Sequence, residues 1–298
     1  MTTRDEAPDR QPTRSLTEAI VGYYDETWID YRVLWLNQDN LAVHFGYTDH
    51  STRGHTDALK NMNRVLADRV QIQPGERVLD AGCGVGGSSL WLAAERGAEV
   101  VGITLAARQV MMARGYAAQR GLADRVRFEQ ADFTATSFPD ASFDIVWAVE
   151  SMCHAPDKAA FYQEAARLLR PGGRVVVADF VRVARPLDLT GEQLVHEWLE
   201  GWAVPDIDTP SEHLAHLAAA GFAEPRLDDV TVHTRPSLRR LYRLAYWTYP
   251  LAVFGRITGI RSVVQHGNVI ASIRQYQALR HGAWFYSILS ATKPGKDN

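Results

Sequence analysis

Val78-Leu79-Asp80-Ala81-Gly82-Cys83-Gly84-Val85-Gly86-Gly87 is a short strand-forming run that breaks into a glycine-rich turn and resumes as a helix. Glycines at such a turn let the backbone pass close beneath a nucleotide-like ligand, because no Cβ stands between them. The spacing alone also serves dinucleotides, so the segments around it must choose the ligand.

Downstream, strand and helix patterns alternate: 77–81 strand, 86–96 helix, 99–104 strand, 106–120 helix, 125–130 and 143–149 strands, 157–169 helix, 174–181 strand. Apolar strands without period-two polarity predict an α/β fold, a parallel sheet covered on both faces by helices, with ligand at the strands' carboxyl ends. A helix at 211–220, capped by Ser211, leads to a strand near 226–233, and 284–292 forms the last strand. Upstream, residues 1–14 are polar and without periodicity, which reads as a disordered or loosely docked tail. From Ser15 to about Leu36 the pattern is helical and aromatic, with Tyr23, Tyr24, Trp28, Tyr31 and Trp35. The organisation expected is an amino-terminal helical cap at 15–60, a ligand-binding core at 61–182, a lid insertion at 183–210, more core at 211–235, a second helical cap at 236–283, and a final strand and tail at 284–298.

The chain has 298 residues, 46% hydrophobic, enough for a full core. A net charge of −3 with interspersed signs gives no basic stripe suited to nucleic acid. No apolar run is long enough to span a bilayer, and the charged start lacks a secretion signal, so a soluble cytoplasmic protein is expected. Two cysteines, Cys83 and Cys153, imply neither a disulfide framework nor a zinc site, and no metal site is expected within the protein.

A nicotinamide or flavin enzyme would normally carry an acid at the end of its second strand, where this chain has Thr104. With the glycine loop, Asp132-Phe133 after the third strand and Leu168-Leu169-Arg170-Pro171-Gly172-Gly173 before the fifth, the series resembles the class I S-adenosylmethionine (SAM)-dependent methyltransferases over residues 60–292. The resemblance implies a Rossmann-like, mainly parallel seven-stranded sheet. It implies that Asp80 lies near the methionine part of SAM, that Gly82, Gly84 and Gly86 pass beneath it, and that Asp132 and Phe133 meet the adenine. Thr104-Leu105 followed by Gln109 resembles the branch with cyclopropane-forming and sterol-type enzymes, in which Gln109 is a ribose-side candidate; an ordinary helix-surface amide is the alternative.

Trp147-Ala148-Val149-Glu150-Ser151-Met152-Cys153-His154-Ala155-Pro156-Asp157 closes the fourth strand, the end that would face the transferred methyl. A carboxylate there can take a nucleophile's proton or hold a carbocation and then deprotonate it. The run resembles the Ile-Glu-Ala-Thr-Cys-His-Ala-Pro segment of sterol side-chain methyltransferases, whose amino-terminal Tyr-Tyr-Asp and His-Phe segments Tyr23-Tyr24-Asp25 and His44-Phe45-Gly46 also resemble; tocopherol-type ring methyltransferases share part of the pattern. That likeness marks Glu150 as base or cation stabiliser, His154 as its partner or a substrate contact, and Tyr24 and His44 as closing the cofactor site.

Trp28, Trp198, Trp202, Tyr246 and Trp247 could present ring faces to a cation, each worth roughly 0.5–2 kcal/mol, although an aromatic stripe at helical spacing is more often core. Arg235, Arg239 and Arg243 recur four apart, followed by Arg274, Arg280 and His281. Such groups suit a diphosphate; a solvated basic face explains the same spacing. The expectation is C-methylation of an alkene in a small isoprenoid, a prenyl diphosphate or prenylated metabolite, with Mg²⁺ as companion if a diphosphate is present. The rival is N-, O- or aromatic C-methylation of a small metabolite. Oligomeric state is left open, a homo-oligomer included.

Overall fold

The computed structural model describes residues 15–34 and 40–295; the expected tail 1–14 and Trp35 lie outside them. The strands are β1 (Arg77–Ala81), β2 (Glu99–Thr104), β3 (Val126–Gln130), β4 (Phe143–Val149), β5 (Leu169–Arg182), β6 (Ala223–Asp229) and β7 (Trp284–Thr292). They form one sheet in the order β3-β2-β1-β4-β5-β7-β6. All neighbours from β3 to β5 pair in parallel, and β7 runs antiparallel to both β5 and β6. The expected mainly parallel seven-stranded sheet is therefore present.

Alternate residues of the central strands feed opposite faces, as the pleat requires. Val78, Val100, Trp147 and Val176 enter one buried cluster, whereas Leu79, Val101, Val146 and Val175 enter the other. Helices cover both faces: α2 (His55–Arg69), α3 (Gly87–Arg96), α4 (Ala107–Gln119), α5 (Lys158–Leu168) and α7 (Pro210–Ala219) belong to the alternating core. Helix α1 (Leu16–Leu34), α6 (Leu189–Gly201), α8 (Thr231–Ile257) and α9 (Val263–His281) are the added ones, with α6 and α8 both packed on α9.

Local chemistry moves two expected boundaries. Helix α7 is capped by Thr209, not Ser211: Thr209 Oγ1 accepts the Glu212 N–H while Glu212 accepts that of Thr209, with Pro210 pre-set in the first turn. Residues 231–233, read as strand, are helical, because the Asp229 carboxylate accepts the Thr231 N–H and turns the chain. The segment 183–210, expected as a lid insertion, carries α6, which buries Trp198 completely, against Trp284 at 4.8 Å and Phe180 at 5.2 Å between ring centroids.

Candidate active site

The β-strand order reverses between β1 and β4, and a cavity opens at their carboxyl ends, where open α/β sheets bind ligands. Asp80 and the glycine loop form its floor, Val149–Ser151 and His154 one side, and residues 41–45 a second side. Leu241, Leu244, Ala245 and Thr248 of α8 and Asn268 and Ser272 of α9 close it from above.

The loop's shape is enforced by crowding. Gly82 has φ +88°, and a Cβ there would lie 2.3 Å from that of Ser151; at Gly86, φ +89°, it would lie 2.6 Å from the Phe128 ring. Gly84 differs: at φ +53° a Cβ would meet no protein atom within 4 Å, yet the residue lines the cavity. At Gly84 the cavity therefore reaches the loop backbone. Asp80 is buried beside it, accepts Ser89 Oγ at 2.5 Å, and is raised by burial to about 6. Thr104 Oγ1 donates to Gln109 Oε1 at 2.6 Å, and both line the cavity with Leu105 and Phe133. Gly86 and the exposed Asp132 are not among its walls; Asp132 Oδ1 is taken by the N–H and hydroxyl of Thr134.

Glu150 follows β4 directly in a left-handed backbone conformation, φ +48°, which costs on the order of 1–3 kcal/mol and is fixed by its N–H donating to Ala178 O at 2.8 Å. Its Oε1 accepts two hydrogen bonds, from the Phe45 N–H at 2.6 Å and the Tyr286 hydroxyl at 2.7 Å. Burial drives this carboxyl up to about 8, against the lowering effect of those two donors. With Oε1 occupied, a proton on Glu150 belongs on Oε2.

His154 is held neutral by burial, its pKa lowered to about 4. Its Nδ1 faces Ala203 O at 3.2 Å and must donate, so Nε2 accepts the Tyr24 hydroxyl at 3.0 Å. His44 also lines the cavity, its Nδ1 donating to Phe45 O at 2.9 Å, and burial lowers it to about 4.

Of the aromatic residues expected at the substrate, only Trp202 lines the cavity; Trp198 stands behind its wall, and Trp28 packs half-buried on the core. Tyr246 and Trp247 point outward from α8. The rings that do surround the site centre on Phe180, edge-on to Tyr286 at 5.7 Å and to Phe45 at 6.2 Å. Sequence reading missed Phe45, Phe180 and Tyr286, although Phe45 stands inside the His44-Phe45-Gly46 run it had singled out.

The basic residues do not converge. Arg239 and Arg243 are exposed on the outer face of α8, Arg274 pairs with Glu197, and His281 pairs with Asp188 at 2.8 Å. Arg261 is the one lysine or arginine on the cavity wall among the described residues, and Asp30 holds its guanidinium at 3.1 and 2.6 Å. No cluster of three His, Cys, Asp or Glu suited to a metal occurs among the described residues.

Residues 79–177 match the family model described as a methyltransferase domain. The chain is 38% identical over 229 residues to methyltransferase GfsG of Streptomyces halstedii, covering 75% of this chain and 79% of that one. It is 38% identical over 196 residues to the 27-O-demethylrifamycin SV methyltransferase of Amycolatopsis mediterranei, covering 65% and 71%. Tocopherol O-methyltransferase of Arabidopsis thaliana and a 24-methylenesterol C-methyltransferase of rice are each 34% identical, over 62% and 67% of this chain and 55% and 57% of their own lengths. Among solved structures, the [4+2]-cyclase SpnF superposes with a TM-score of 0.77 at 25% identity, covering 94% of this chain and 97% of that one. The glycine cradle left open above Gly84, the acid beside it and these relatives agree: the chain belongs to the class I SAM-dependent methyltransferases.

Proposed function

We propose that the protein methylates an alkene carbon of an uncharged, lipophilic acceptor such as a prenylated metabolite, with Glu150 as the group that receives the proton lost afterwards. The observation that carries this reading is the Glu150 carboxyl on the cavity wall, with Oε1 fixed by Phe45 and Tyr286 and Oε2 without a hydrogen bond to any described residue.

Asp80, the backbone at Gly82–Gly84, Thr104, Leu105, Gln109 and Phe133 would hold SAM, which when bound supplies an electrophilic methyl on a sulfonium centre. The chain's own residues do the rest. Beside a positive charge, a carboxyl raised to about 8 ionises more readily. Ionised Glu150 then stabilises the cation left when the alkene's π electrons form the new carbon–carbon bond, and its Oε2 takes the adjacent proton as the double bond re-forms. Phe45, Phe180 and Trp202 keep water from that cation and offer it ring faces.

An uncharged acceptor is preferred to a prenyl diphosphate because the arginines that would grip phosphate oxygens lie outside the cavity or are already paired. Oxygen methylation is the second reading, favoured by the Tyr24–His154 hydrogen bond: a neutral imidazole whose Nε2 accepts a hydroxyl proton is suited to activate an alcohol. Incubation with ¹³C-methyl SAM and a panel of prenylated quinols, polyprenols and hydroxylated macrocycles, with NMR of the product, separates the two. A methyl on a carbon of the acceptor's alkene supports the first reading, and a methyl on oxygen or on an aromatic ring carbon overturns it.

A further inference from the structure

Helix α8 divides its surface lengthwise and along its axis. Leu241, Leu244, Ala245, Thr248 and Ala252 face the cavity. At about 100° per residue, Arg239, Arg243, Trp247, Phe254 and Ile257 fall within one quadrant of the opposite face. This outer stripe begins basic and ends apolar. Trp247 is 79% exposed, Phe254 60% and Ile257 79%, and the patch continues around the turn into α9 with Ile260 at 77% and Val263. Leu251, also exposed, reaches the cavity wall, so the patch borders the entrance used by α8's inner face. Contiguous apolar exposure of this kind marks an interaction surface.

The charge carried by α8 and α9 themselves selects the occupant; the carboxylates that meet their turn, Glu26 and Asp30 of α1, are engaged by Ser262 and Arg261. Residues 230–296 contain no aspartate or glutamate, although the whole chain has a net charge of −3. Arg235, Arg239, Arg240 and Arg243 follow one another in that acid-free stretch and are exposed. A second copy meeting this face through a two-fold axis would set these arginines against a surface whose own element supplies no carboxylate. A bilayer carrying anionic headgroups satisfies both halves: apolar side chains enter the acyl boundary, Trp247 and Tyr246 sit at headgroup level, and the arginines meet phosphate. No helix of the described residues is long and apolar enough to cross a membrane, so this contact lies in the interface plane.

We propose that the outer face of α8 and the α8–α9 turn dock the protein reversibly on anionic phospholipid bilayers, with the cavity mouth beside the lipid. The proposal does not depend on which atom is methylated, because its test reads vesicle binding and not turnover. Sedimentation of the full chain with vesicles of phosphatidylcholine alone and of phosphatidylcholine mixed with phosphatidylglycerol should show binding to the mixed vesicles, weakened by salt. The triple variant Trp247→Gln, Phe254→Gln, Ile257→Gln should lower the bound fraction about tenfold, with SAM affinity and melting temperature retained. Arg239→Gln with Arg243→Gln should reduce both the binding and its salt dependence. Equal binding of wild type and triple variant, no binding to mixed vesicles at low salt, or a self-association in ultracentrifugation that the triple variant abolishes in place of vesicle binding would each overturn it.

Discussion

The backbone N–H of Phe45 donates to Glu150 Oε1 at 2.6 Å, joining residues 105 positions apart. Tyr286, from the last strand, reaches the same oxygen at 2.7 Å. Three distant segments thus meet on one partly buried carboxyl, and the site is complete only when the amino-terminal segment and β7 are both in place.

Stability should fall with pH through Glu150. Its folded pKa, about 8, exceeds the ordinary 4.5, so between those values the native state holds a proton that the unfolded chain does not. Stability from this group is complete below pH 4.5 and is lost as pH rises toward 8, at about 1 kcal/mol per pH unit. Glu150→Gln lacks that proton, so its stability relative to wild type should improve from pH 5 to pH 7. Asp80 and Asp179, both raised to about 6, contribute the same sign but to both proteins alike. Urea titrations at the two pH values check this, and a pH-independent difference between the proteins would count against the protonated carboxyl.

Proton release should accompany SAM but not its neutral product. A sulfonium near Glu150 favours ionisation, whereas S-adenosylhomocysteine carries no such charge. Calorimetry near pH 7 in buffers of different ionisation enthalpy should show more protons released with SAM, and Glu150→Gln should erase the difference. Equal release for both ligands in the wild type would place the cofactor's charge elsewhere.

Two glycines should respond differently to alanine. At Gly82 both the positive φ and the 2.3 Å approach to Ser151 oppose a Cβ, so the loss is on the order of 3 kcal/mol. At Gly84 only the backbone strain applies, about 1 kcal/mol, while the methyl enters the cavity. Gly84→Ala should therefore remain folded yet lose SAM affinity, as thermal melts and equilibrium binding can establish.

Tyr286→Phe should move a pH profile. The tyrosine's hydrogen bond lowers the Glu150 pKa, so its loss raises that pKa further. The rising limb of rate against pH should shift to higher pH, with kcat reduced about tenfold at neutrality. A lower kcat with an unmoved limb would make Tyr286 merely structural.

The fold was legible because the Val78–Gly87 run and the apolar strands around it are local signals, each read within a dozen residues. Glu150 and His154 were legible for the same reason, lying in one short segment at a strand end. Phe45, Phe180 and Tyr286 were not, because their roles depend on contacts between segments far apart in sequence. The arginines of α8 show the reverse failure. Spacing of four places Arg239 and Arg243 on one face but cannot say which, and the structure turns that face outward. Trp198 and Trp202 sit four apart as well, yet only the second reaches the cavity, because α6 ends one residue before it.

The most direct test is single-turnover methyl transfer by Glu150→Gln, with SAM affinity measured on the same preparation and an acceptor alkene as substrate. The expected result is methyl transfer slowed at least a hundredfold, with S-adenosylhomocysteine affinity unchanged, SAM affinity lowered only by the lost attraction between sulfonium and carboxylate, and His154→Gln still active. Wild-type turnover by Glu150→Gln, with His154→Gln inactive, would contradict the account and assign the chemistry to the imidazole.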